Sequence, residues 1–72
     1  MDEKTKIVEF ISFCIEMYAQ EYNLSGADVA DLFEKNGIIN YLFDNYIGLH
    51  SQGKEYIIPL LHNFIKTREG HS

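Results

Sequence analysis

Cys14, His50, His62 and His71 are the side chains of this sequence best suited to hold a metal or attack a substrate. A zinc site asks for cysteine and histidine at short, regular spacings. His50 and His62 stand twelve positions apart in different predicted elements, His71 falls near the end of the sequence, and Cys14 lies on an apolar face. No pair has ligand spacing, so the sequence predicts no metal and no cofactor. Nucleophilic or acid–base catalysis would have to run through His50 with Asp44 or Ser51, and nothing in their spacing makes a catalytic set. The expectation is therefore no enzyme and no catalytic residue. His50 reads either as an imidazole that caps a helix or bonds into the core, or as a contact residue in a protein interface. Cys14 reads as a small core hydrophobe.

A second group of side chains could do recognition chemistry. Tyr18, Tyr22, Tyr46 and Tyr56 each combine an apolar body with a polar tip, which suits a core margin or an interface equally. The chain carries five Phe and five Tyr in 72 residues. A domain of this size hides only about 60% of its unfolded surface, so its interior has few places for ten rings.

Helices must position these groups. From Glu3 to Tyr22, a step of about 100° per residue gathers Ile7, Phe10, Ile11, Cys14, Ile15, Tyr18 and Tyr22 on one side. Phe13 and Met17 widen that side in one direction and Val8 in the other, to an apolar arc of roughly 220°, where a surface helix needs little more than about 100°. This helix is expected either to lie at the centre of the fold or to touch two bodies at once. Ser25, three residues before Asp28, makes an N-cap with an acid in the first turn, and Asn36-Gly37 ends that helix. A third helix places Ile38, Ile39, Leu42, Phe43, Tyr46, Ile47 and Leu49 on one broad face, with His50 inside it. Pro59 suits the first position of a helix and disfavours helical geometry at Ile58, so residues 54–58 read as an extended or single-turn lead-in. The expected fold is all-α, one domain, a small bundle of four helices at about 3–22, 26–36, 38–51 and 59–68.

Charge narrows the partners. Eleven acids against six bases give a net charge of −5, which argues against a nucleic-acid backbone or an anionic membrane. Residues 1–36 hold eight acids and three bases, and the remainder three of each, so the acidity belongs to the first two helices. A helix-turn-helix regulator is the alternative suggested by residues 24–46, but Ile38 to Ser51 contains no Lys or Arg with which to grip phosphate. One cysteine forms no internal disulfide, and Met1-Asp2-Glu3-Lys4 opens no signal peptide. The expectation is a cytoplasmic protein that binds protein, either a second copy of itself or a different chain. The candidate contact residues are Phe13, Met17, Tyr18, Tyr22, Tyr46, His50 and Tyr56.

One resemblance runs through most of the chain, about positions 7 to 66. Phe10, Cys14-Ile15-Glu16, Tyr18-Ala19, Leu24-Ser25-Gly26-Ala27-Asp28-Val29, Leu32-Phe33-Glu34-Lys35-Asn36-Gly37, Tyr41-Leu42, Leu49-His50-Ser51 and Glu55-Tyr56-Ile57-Ile58 resemble a family of short bacterial helical proteins of unknown function. Those proteins typically read Leu-His-Thr where this chain has Leu49-His50-Ser51, and an acidic residue is common where Pro59 stands. The resemblance rests on packing and turn residues and so transfers no active site. It implies an accessory or antitoxin-like partner, because members are often encoded beside a protein resembling an ADP-ribosyltransferase toxin.

Overall fold

The computed structural model describes residues 3–69, and within them every regular element is a helix. In chain order these are α1 (Glu3–Tyr22), α2 (Gly26–Lys35), α3 (Ile38–Asp44), α4 (Tyr46–Leu49) and α5 (Lys54–Glu69). Helix α1 is the axis of the fold and packs against α2, α3 and α5. The core joins Phe10, Ile11, Cys14 and Tyr18 of α1 to Val29 and Phe33, Ile38 and Leu42, Leu49, and Ile57, Ile58, Leu61 and Ile65.

The helix ends follow local chemistry. Asn23 takes a left-handed φ of 54° after α1, and the Leu24 N–H donates to the Ala19 carbonyl at 2.8 Å, the long closing bond of a Schellman cap. The Ser25 hydroxyl accepts from the Asp28 N–H at 3.1 Å, as its position predicts. Helix α2 stops at Asn36, whose buried side-chain amide donates to the Leu32 carbonyl at 2.9 Å. Gly37 follows at φ 73°, a conformation that costs a residue with a Cβ.

Two expected elements differ. The single helix over 38–51 is divided at Asn45 and ends at Leu49. Asn45 sits at φ −112° and ψ 18°, with its side-chain amide donating to the Tyr41 carbonyl at 2.8 Å. A short amide side chain that competes for the helix's own carbonyls turns the backbone in this way. Beyond this turn Ile47 is 76% exposed, and Phe43 on α3 just before it also stands open. The last helix starts at Lys54, five residues before its expected start, and the lead-in over 54–58 is helical, with Pro59 inside it. Proline there leaves the Glu55 carbonyl without its usual N–H donor. The compensation is burial: Ile57 is fully buried and Ile58 nearly so, whereas Pro59 faces outward.

Candidate docking surface

Helix α1 has one closed side and two open margins. Cys14 lies at its centre with no exposed surface, and burial pushes the thiol up to about 12, so at neutral pH it is a protonated, packed group and not a nucleophile. Its neighbour Tyr18 is buried as well. The Tyr18 ring meets Phe33 edge-on, with centroids 5.4 Å apart, and leans on Tyr22 at 4.6 Å. Its hydroxyl meets Nδ1 of His62 in a long 3.4 Å hydrogen bond, while the His62 ring stacks on Tyr22 at 5.1 Å. Desolvation raises the Tyr18 phenol, helped by the charges of Tyr22 and Glu69. Tyr18 is thus a core residue tying α1 to α5. Its place among the contact residues is corrected, because a side chain at helical spacing from Cys14 and Ile11 turns inward with them.

The open margins carry Val8 on one side and Phe13 on the other, each 55% exposed. Phe13 and half-buried Met17, with Gln20, Glu21 and Lys54, line a hollow of about 580 Å³ between α1 and the start of α5. Just inside this margin, the Phe10 ring meets Tyr46 edge-on at 5.5 Å. Tyr46 stacks in turn on His50, at 4.4 Å and 18°. His50 is exposed and sits at the C-cap of α4. Its Nδ1 lies 2.9 Å from the Tyr46 carbonyl; a carbonyl can only accept, so Nδ1 is the donor of this bond. The imidazole is therefore a cap with one nitrogen available to a partner.

Tyr22 and Tyr56 are also partly open, at 38% and 53% exposure. Helical spacing alone puts Phe43 and Ile47 on one inward face over 38–51, whereas both stand open to water. The Asn45 and Gly48 pair, poor helix formers within four residues, is the signal that could have found them.

Among the described residues, no three His, Cys, Asp or Glu side chains gather as a metal-holding group; His71 lies outside those residues. No helix among them is long and apolar enough to cross a membrane. What this margin offers is the open Phe13 ring and half-buried Met17 beside the polar groups Gln20, Glu21 and Lys54. No curated protein and no solved structure matches the chain. The profile of a family described as protein of unknown function (DUF3791) matches residues 9–68, a span that holds the whole of α2 to α4 and most of α1 and α5. On that match the chain belongs to the DUF3791 family.

Proposed function

We propose that this chain is a non-enzymatic protein-interaction module whose docking surface is the Phe13 margin of α1, with Met17, Tyr46 and His50 beside it. The observation that carries the proposal is the position of Phe13. It stands in the middle of the helix at the centre of the fold, yet more than half of it faces water. A small domain gains stability from every apolar ring it can bury, so a phenylalanine left out at such a place costs folding free energy and serves contact with another chain. Tyr46 and His50 add rings already held by stacking, which lose little side-chain freedom on binding. Tyr22 and Tyr56 are further open rings available to a partner.

The finer proposal is an accessory or antitoxin-like role toward a transferase-like toxin encoded nearby, which the family resemblance implies. Co-expression with the adjacent reading frame tests it. The expected result is a complex that survives purification and is lost in Phe13→Ser; two proteins that never co-purify would refute that role. The alternative, a DNA-binding regulator, needs cations on α3 as its recognition helix, and Ile38–Asp44 has none.

A further inference from the structure

Resting on that reading, we infer that the occupant of the Phe13 margin is an amphipathic helix of another protein, apolar along one stripe and flanked by lysine or arginine. The spacing on α1 argues for a helix. Phe10, Phe13 and Met17 follow one another at intervals of three and four, and Lys6 and Gln20 continue the same register at either end. Of this register Phe13 and Met17 are the apolar positions with open surface, one helical step apart, so a second helix laid along α1 would set its apolar side chains against these two. Phe10 is mostly enclosed, Met17 half so, and Phe13 stands open, which makes a floor with one projecting ring at its centre. The hollow beside Phe13 and Met17 gives a second helix a place to lie against the start of α5.

Charge at the edges selects the partner. In this register Glu9 and Glu16 occupy equivalent positions, each one residue before a seam residue, on the solvent side of the stripe. Both are exposed. Such flanking positions choose a partner through the charge that faces them across the seam. On the opposite edge Cys14 is turned into the core, and Glu21 shares the lining of the hollow with Lys54. The outer edge is thus uniformly acidic and the inner edge mixed.

A second copy of this chain meets those carboxylates badly. Parallel pairing sets Glu16 against the other copy's Glu21, and antiparallel pairing sets the Glu9 and Glu16 edge against itself. Like charges across a seam are unfavourable, and each copy brings a net charge of −5. A helix with cations at its flanking positions meets the same edge favourably.

The test titrates the full chain, labelled for amide NMR, with an amphipathic helical peptide of about 18 residues, five turns, made of Leu and Lys, and with its Leu and Glu counterpart. The expected result is binding of the Lys peptide, with shifts centred on Phe13, Met17 and Gln20. Affinity falls at least ~10-fold in Phe13→Ser, and several-fold in a Glu9→Gln/Glu16→Gln double variant or at about 0.5 M NaCl, where screening is short-ranged. Phe13→Ser keeps every charge and the double variant keeps the ring, so the two separate apolar from ionic recognition. Equal binding of the Glu peptide, or unchanged affinity in either variant, overturns the inference. Dimerisation through this margin in sedimentation equilibrium, abolished by Phe13→Ser, also overturns it while leaving the docking surface in place. No binding by either peptide together with a monomer at all concentrations overturns both the inference and the docking surface.

Discussion

Phe33 and Phe13 are the same side chain in opposite situations on either side of α1. Phe33 comes from α2, is fully enclosed, and meets the Tyr18 ring edge-on. Phe13 belongs to α1 itself and is 55% exposed. Apolar composition did not separate them; the neighbours did. One faces a helix that the chain supplies, the other a margin beside which the chain supplies only the start of α5. The wide apolar arc of α1 is thus divided, the larger part closed by the fold and the smaller left open to water.

Breaking the closed side gives the largest effect. Phe33→Ala removes a fully buried ring and leaves a cavity, a change that typically costs about 3–5 kcal/mol. A domain this small has a total stability of similar size. The expected outcome is a chain largely unfolded at 37 °C, read by far-ultraviolet circular dichroism and urea titration. Near-native stability would mean that α2 does not close this side.

The closed side also predicts a response to alkali. Burial holds the Cys14 thiol protonated up to about 12, against 9.0 when unperturbed. Above the lower value the unfolded chain has released the proton and the folded chain retains it, so folded stability decreases as pH rises. The stabilisation is complete below about pH 9, and its loss has a limiting slope of about 1.4 kcal/mol per pH unit. The raised Tyr18 phenol acts in the same direction. Urea midpoints measured from pH 8 to 11 should fall, and fall less steeply in Cys14→Ala. Equal slopes in the two proteins would show that the thiol is not held in its neutral form.

A smaller effect belongs to the tie between the closed side and α5. Tyr18→Phe keeps the ring between Phe33 and Tyr22 and removes only the O–H that reaches His62. At 3.4 Å this bond is long, and the expected loss is below about 1 kcal/mol, against the several kcal/mol of Phe33→Ala. A loss as large as that of Phe33→Ala would make the phenol, and not the ring, the main connection between α1 and α5.

Sequence periodicity read α1 well because twenty residues without Gly or Pro leave the 3.6-residue repeat uninterrupted. The Ser25 cap and the Asn36-Gly37 stop were legible for the same local reason: the side chain that acts lies within a turn of the backbone it serves. Asn45 was not read as a break, since one asparagine in an apolar run signals little until its amide engages the Tyr41 carbonyl. Pro59 was over-read. Its local preference starts the last helix at Pro59 itself, but the burial of Ile57 and Ile58 carries the helix back to Lys54 at the cost of one missing hydrogen bond. Of the candidate site, the excess of apolar arc was visible and its distribution was not. Tyr18 and Tyr22 lie four residues apart on α1 and both reach His62 of α5, but Phe33 of α2 meets Tyr18 edge-on, and Tyr18 is enclosed while Tyr22 stays at the edge.

The comparison is sharpest at its weakest mutation. Phe13→Ser removes more apolar surface than many core substitutions, yet most of that surface already faces water in the folded chain, so folding loses little when it goes. The expected change in stability is within about 0.5 kcal/mol, as for other surface positions. The same substitution removes the ring on which the proposed contact is centred, and an aromatic anchor of this kind commonly carries about 2 kcal/mol or more of binding free energy. Stability by urea titration and affinity for the partner must therefore separate in this one variant. If Phe13→Ser instead unfolds the chain, Phe13 belongs to the core with Phe33, and α1 has no side left to offer.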